Sequence, residues 1–469
     1  MAVEPRTLRG GLAAAAIALL LAGCAGPIAQ SSFDDVNAIT KAKTGRQPAW
    51  ISNDEAADKA RSRVETLLAQ PLTVDDAVEI AMLNNRALQI DLSELGLAAA
   101  DLAQAYRLPN PGFSFKRLES AGVVDIERKF TLSVVDVLFM PLRIDIEQNR
   151  LTVAKLNTAN AVLRIAAETR RAYYRAIAAG QVADYVMQVR EATAASAELA
   201  RRMARVGNFN TLDFAREQAF HADATAQTGV ARRAATSERE KLTRLLGLWG
   251  PNTAFKLPPR LPDLPAQPVD VADVEATTVR DRLDIKAGRA AIDSLATSLG
   301  LTRATGFVNV LDASYIRETG GGARSTGYEI SLEIPIFDWG DAKVARAEYL
   351  YQQAAHRLAG TAVNARSEAR EAYINYRTAL DLAIAYRDEV VPLRTRISEE
   401  MQLRYNGMLS SVFELLIDAQ AQIRSVIAAI DAQRDFWIAD TDLQFVTIAD
   451  AGMSAGGGLR LAGADAGGD

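Results

Sequence analysis

The feature that most constrains this fold is a duplication. The segment "ETRRAYYRAIAA" (Glu168–Ala179) aligns with "EAREAYINYRTA" (Glu368–Ala379) at an offset of roughly 200 residues. The same offset pairs "ARVGNFNTLDF" (Ala204–Phe214) with "LRYNGMLSSVFEL" (Leu403–Leu415) and sets Gly207 opposite Gly407. A slightly smaller shift pairs "TLSVVDVLF" (Thr131–Phe139) with "EISLEIPIF" (Glu329–Phe337). Each half therefore repeats one order of parts. The period is too long for a solenoid unit and reads as a duplicated domain.

Within each half the periodicity is mostly helical. A helix of roughly 35 residues comes first, Thr73–Arg107 and again about Val271–Arg303, with Thr73 and Asp76 spaced like a capping box. Two strands follow. They are Gly112–Leu118 with Arg128–Phe139 in the first half, and Gly306–Arg317 with Gly327–Phe337 in the second. In "YEISLEIPIFDWG" (Tyr328–Gly340), Tyr328, Ile330, Leu332, Ile334 and Ile336 alternate with Glu329, Ser331, Glu333 and Pro335, which gives one apolar and one polar face. A very long helix comes next, about Leu142–Arg205 and Asp341–Tyr405; roughly 65 residues span roughly 95–100 Å. It ends at Gly207 or Gly407, where glycine accepts a positive φ. A return helix of roughly 35 residues closes each half, the second with a heptad-like stripe of Val412, Leu416, Ala419, Ile423, Val426 and Ile430.

The first residues are a targeting segment. Arg6 and Arg9 precede an apolar run, Gly10–Ala22, that is too short to span a bilayer. Leu21-Ala22-Gly23-Cys24 then resembles a bacterial lipobox, in which Cys24, the only cysteine, takes diacylglycerol and a fatty acyl group. Ala25 after it, rather than Asp, favours the outer membrane by the same resemblance. The expected organisation is a signal peptide (1–23), an N-terminal anchor and linker (24–71), a first repeat (72–250), a Pro-rich linker (251–269), a second repeat (270–449) and a disordered tail (450–469).

Four strands cannot close a barrel, since the smallest closed membrane barrels have about eight. An open sheet with an apolar face has two unsatisfied edges that lipid does not tolerate. Three copies give twelve strands and a closed wall. The stretches "LTVDDAVEIAMLNNRAL" (Leu72–Leu88), "LPNPGFSF" (Leu108–Phe115), "IPIFDWGDAKVARAE" (Ile334–Glu348) and the two Gly-centred tips resemble the TolC-like outer-membrane efflux protein family, in its lipid-anchored branch. The likeness runs over about residues 30–449. The first-half counterpart of "IPIFDWG", "VVDVLFMPL", lacks the glycine, and both strand connections are short.

That resemblance implies a mainly α fold with duplicated helical hairpins forming a periplasmic α-barrel and four strands per chain completing a 12-stranded trimeric β-barrel. It implies a homotrimer that passively conducts substrates from an inner-membrane pump, through a periplasmic adaptor, across the outer membrane. The partners it implies are that adaptor, the pump and outer-membrane lipid.

The same likeness marks candidate positions. Val206, Gly207, Asn208 and Phe209, with Asn406, Gly407, Met408 and Leu409, resemble adaptor-docking tips; as bare helix ends they would be simple caps. Asp213, Glu217, Glu414 and Asp418 stand where the family lines a periplasmic gate, with Arg201, Arg202, Arg205 and Arg404 as pairing partners across helices. Otherwise they are solvated surface charges. Phe337, Trp339 and Gly340 fall at the barrel–tunnel junction.

Composition excludes other classes. A net charge of -5 speaks against a nucleic-acid partner. The sequence holds neither a phosphate loop nor H-E-x-x-H, and His221 and His356 stand apart on helical stretches, so no cofactor, metal or enzyme activity is expected. The competing reading is a lipid-anchored periplasmic adaptor or spacer; its single hairpin is at odds with the duplication.

Overall fold

The computed structural model describes residues 25–450 apart from 121, 266–267, 269–272, 306–309 and 335. Cys24, the signal segment and the tail beyond residue 450 lie outside the described residues, as do the start of the predicted third strand and Pro335. The chain is mainly helical with one small sheet.

The N-terminal segment is not a linker. It forms α1 (Ala25–Thr44) and α2 (Asp54–Leu68), because Phe33 and Val36 reach the main core and Phe33 stacks on Trp50 at 4.4 Å. The predicted first helix is two, α3 (Val74–Asn84) and α4 (Arg86–Ala105). Thr73 and Asp76 form the capping box at the start of α3. At Asn85 the backbone turns extended; its side-chain oxygen accepts from the N–H groups of Ala87 and Leu88 and so restarts the helix. The second repeat breaks likewise at Arg282, between α8 (Val274–Asp281) and α9 (Leu283–Thr305).

Strands β1 (Gly112–Ser120) and β2 (Val123–Ser133) form a tight hairpin. The expected strand to Phe139 ends early: Ser133 caps a one-turn helix, α5 (Val134–Leu138), by accepting from the Asp136 N–H. Asp136 also pairs with Arg143 at 2.6 Å, which anchors that turn to the long helix. That helix, α6 (Met140–Arg205), runs 66 residues unbroken, about 100 Å. The return helix α7 (Thr211–Leu246) ends at Gly247, whose φ of +64° suits glycine.

From Gly250 to Pro265 the chain holds one short 3₁₀ turn and is otherwise irregular, as expected of its prolines. It is nevertheless packed. Phe255 and Leu261 are buried, and Pro262 accepts at its carbonyl from Trp437 and Gln433.

In the second repeat, β3 (Leu311–Gly320) and β4 (Ala323–Leu332) turn on Gly321 and Gly322, both at positive φ, as a two-residue hairpin requires. The four strands make one antiparallel sheet in sequence order, with β2 paired to β3, so the two repeats share a sheet. The strand expected to reach Phe337 ends at Leu332, leaving Ile334 and Ile336 beyond it. The second long helix is also interrupted. Helix α10 (Asp341–Ala385) passes through a π-helical turn, Tyr386–Val390, into α11 (Val391–Asn406). Pro392, which has no N–H for the helical ladder, follows directly. Helix α12 (Val412–Val446) returns.

The main core gathers α1, α3, α4, the middle of α6 and the end of α7 around Leu72, Ile80, Leu92, Leu163, Tyr173 and Leu242. A smaller core of Tyr376, Leu380, Phe436 and Leu443 belongs to the second repeat. Trp437 stacks on Tyr174 at 5.5 Å and joins the two.

Candidate functional sites: the amphipathic sheet and the hairpin tips

Register sorts the sheet's side chains into two chemistries, because directly opposed residues share a face. One face carries a row of four aromatics across all strands, Phe113, Phe130, Tyr315 and Tyr328, with rings 4.9 Å apart in the first pair and 5.7 Å in the last. Nearer the helices the same face continues as Leu132, Ala313 and Ile330, then Leu311 and Leu332. Apart from the half-buried Leu311, these side chains are exposed in the single chain; Tyr328 is 87% exposed. The other face is polar: Lys129 pairs with Glu329 at 2.5 Å, Thr131 bonds Ser314 at 3.0 Å, and Ser331 donates to Glu329.

An apolar face of this size is costly in water. Strands β1 and β4 also each leave one edge unpaired within the described sheet. In lipid, unpaired backbone N–H and C=O groups cost several kcal/mol each. An apolar face, a polar face and two open edges thus meet in one four-stranded sheet.

The sheet passes into the long helices at two unlike joints. The first is the capped turn α5. At the second, Gly340 adopts φ +74° just before α10, and its N–H bonds the Asp338 side chain at 2.9 Å. Phe337 (98% exposed) and Trp339 flank it with their rings outward.

At the far end lie the tips. In the first, Gly207 has φ +78° and the Asn208 N–H closes on the Met203 carbonyl, so the helix end is sealed by backbone alone. Val206 is exposed and Phe209 half-buried. In the second tip the expected left-handed glycine is not one. Gly407 sits at φ −79°, and Met408 takes the positive φ of 60°. Asn406 and Leu409 are exposed, and Met408 is 94% exposed. Across the tips the Arg216 guanidinium lies 4.5 Å from the Phe413 ring.

The four acidic candidates divide into two kinds. Asp213 and Glu414 are helix-start groups. Asp213 is bonded by Asn210 and Arg216. Glu414 accepts from the Ser411 N–H and the Ser410 hydroxyl, which hold its carboxyl below the usual range. Glu217 and Asp418, one turn further on, are buried. Glu217 accepts from Ser196 at 3.0 Å, while one oxygen of Asp418 has no partner among the described residues. The pairings expected across helices do not form within the chain. Arg201, Arg202 and Arg205 converge on Glu198 of their own helix, and the bonds from Arg202 lower its pKa; Arg404 pairs with Glu400. Arginines one or two turns away on the same helix reach a carboxylate at less entropic cost than ones across a groove.

His221 is half-buried against the Thr193 hydroxyl, and His356 is exposed. Among the described residues no cluster is placed to hold a metal ion. No helix among them is long and apolar enough to cross a membrane.

A membrane protein of Pseudomonas aeruginosa superposes over 80% of this chain and 93% of its own, with a TM-score of 0.71 and 20% identity. The chain has the fold of outer-membrane channels. The Campylobacter jejuni CmeC outer membrane channel matches over 81% of this chain and 87% of its own (TM-score 0.68, 16% identity). The open state of the Neisseria gonorrhoeae MtrE outer membrane channel matches over 81% and 89% (TM-score 0.65, 17% identity). No protein-family model and no curated protein sequence matches. In this channel fold the small sheet and the two helical hairpins are one architecture, as the duplicated order of parts anticipated.

Proposed function

We propose that the protein is the outer-membrane exit duct of a tripartite efflux or type I secretion system and works as a homotrimer. The observation that carries this reading is the sheet: one aromatic and aliphatic face, one ion-paired face, and two open edges. Three copies supply twelve strands, with the apolar face to lipid and the Lys129–Glu329 face to a water-filled lumen. The hairpins continue the lumen as a helical tunnel through the periplasm. With no catalytic constellation assigned, its work is passive conduction, driven by an inner-membrane pump.

The exposed apolar tips, Val206, Met408 and Leu409, are docking points for a periplasmic adaptor. Asp213, Glu217, Glu414 and Asp418, repeated by three-fold symmetry, are the gate carboxylates. Cys24 carries the lipid anchor.

Detergent-solubilised protein is expected to run as a trimer by light scattering and to give stepwise conductance in planar bilayers. A monomer that stays soluble without detergent would overturn the duct. Cys24→Ser should abolish metabolic lipid labelling while trimers persist; continued labelling would refute the anchor.

A further inference from the structure

The sheet's charges are segregated. On the apolar face the charged residues are four arginines, Arg117, Arg128, Arg317 and Arg324, against one carboxylate, Glu119. On the polar face they are Lys116 and Lys129 against five carboxylates, Asp125, Glu127, Asp312, Glu318 and Glu329. All four arginines lie beyond the aromatic row, toward the hairpin turns and away from the helices. They occupy the next two rows of that face: Phe115, Arg128, Arg317, Thr326, then Arg117, Ile126, Thr319, Arg324. Each row is about 7 Å further from the helical end.

Arg128 and Arg317 are direct cross-strand partners. Like charges so placed repel, with strands about 4.8 Å apart, unless an anion lies between them. Arg117 reaches Glu119 at 3.5 Å, and Arg128 lies over the Phe115 ring at 5.9 Å. Arg317 and Arg324 are exposed and have no carboxylate partner among the described residues. Arg117 and Arg324 stand on the two open edge strands, which closure of a trimer brings side by side.

We propose that this arginine rim binds the phosphate groups of a phosphorylated glycolipid in the outer leaflet. The proposal rests on the duct reading, which turns this face to lipid and puts the hairpin turns outermost. An aromatic row marks the upper border of the apolar band, and the level just above it is where lipid headgroups lie. Guanidinium forks take phosphate oxygens in pairs, and their stems lie along the apolar surface below. A solute in the lumen does not meet these groups, because they are on the opposite face from Glu329.

Native mass spectrometry of the detergent-extracted trimer provides the test, with bisphosphorylated lipid A, its dephosphorylated form and inorganic phosphate as probes. The wild type should retain the bisphosphorylated lipid at least tenfold better than the dephosphorylated one. Millimolar inorganic phosphate should not displace it. Arg128→Gln with Arg317→Gln should remove most of that preference while the same preparation stays trimeric and conducting. Conducting wild-type trimers that hold both lipids equally, or that lose the lipid to free phosphate, would overturn the rim and leave the duct standing. An unchanged preference in the double variant would also overturn it. If the wild type forms no trimer, the duct fails and the rim with it. The wild-type comparison decides the matter even where the variant does not assemble.

Discussion

The two repeats share a plan and differ in the chemistry at every joint. In both, the first helix breaks at one residue and the end of the return helix docks on the break. In the first repeat neutral amides do this: Asn85 donates to the Leu245 carbonyl at 2.8 Å and Asn84 to the Gly247 carbonyl at 2.6 Å. In the second, Arg282 stands at the break, only 2% exposed, bonded to Glu368 at 2.5 Å and to Asp284 at 3.0 Å. The neighbouring Leu283 N–H bonds the Ile448 carbonyl. Burial opposes the Arg282 charge, and the bonds from Asp284 and Glu368 outweigh it and raise its pKa. What the duplication keeps is a bend in a fixed place; which groups satisfy the freed backbone is open.

That difference sets the largest expected effect. Arg282→Ala removes one partner of a buried ionic cluster and strands Glu368, so it should cost about 3–5 kcal/mol. Asn85→Ala, at the equivalent bend, loses neutral hydrogen bonds and should cost about 1–2 kcal/mol. Denaturant unfolding in detergent, followed by circular dichroism, reads both; equal losses would erase the distinction between the bends.

The return helices end differently too. Gly247 closes α7 at φ +64°, and a Cβ there would stand 2.5 Å from the Asn84 carbonyl oxygen. Helix α12 ends on Thr447 in ordinary right-handed geometry. Gly247→Ala should therefore destabilise by about 3 kcal/mol, from left-handed strain and a backbone clash together. Thr447→Ala should leave the melting temperature within a degree or two, as a surface change does.

Further along, burial raises the Asp440 carboxyl to about 6, against the lowering influence of Arg170. Its counterpart at the 200-residue offset, Glu240, is exposed. A raised acid holds its proton more tightly folded than unfolded. The native state thus loses stability as pH climbs from the ordinary carboxylate range to about 6 and does not regain it above. Asp440→Asn should stabilise by about 2 kcal/mol at neutral pH and flatten melting curves between those limits. Glu240→Gln, at an exposed position, should change stability by less than about 0.5 kcal/mol.

Much of this plan is legible in the sequence, and what is not has physical reasons. Duplication, long helices, the capping box at Thr73 and the glycine-bearing turns follow from local signals that tertiary packing reinforced. The run Val134–Leu138 reads as strand because its valines favour it, yet Ser133 and Asp136 supply a cap that wins. The bends at Asn85 and Arg282 share no residue pattern, since each is specified by a return helix 160 or more positions away. Pro392 was a visible sign of the interruption after Ala385. The site was legible as chemistry on faces: alternation in β4 assigns Tyr328 and Ile330 against Glu329 and Ser331. The carboxylates near the tips were not, because spacing alone cannot separate a cap such as Glu414 from a buried group such as Asp418.

The tips give the smallest effect and the sharpest contrast, because it changes sign. Gly207 and Gly407 align in the duplication, but only Gly207 needs a left-handed backbone; at the second tip Met408 carries that conformation. Gly207→Ala should cost about 1 kcal/mol in strain although nothing crowds the new methyl. Gly407→Ala meets only ordinary contacts at φ −79° and should stabilise by about 0.4–1 kcal/mol through the unfolded chain. Both are read from melting of the detergent-solubilised protein. Two losses of equal size would mean that the second tip turns on its glycine after all. Opposite signs would mean that the strain of that turn rests on Met408, whose side chain stands outward at the very end of the hairpin.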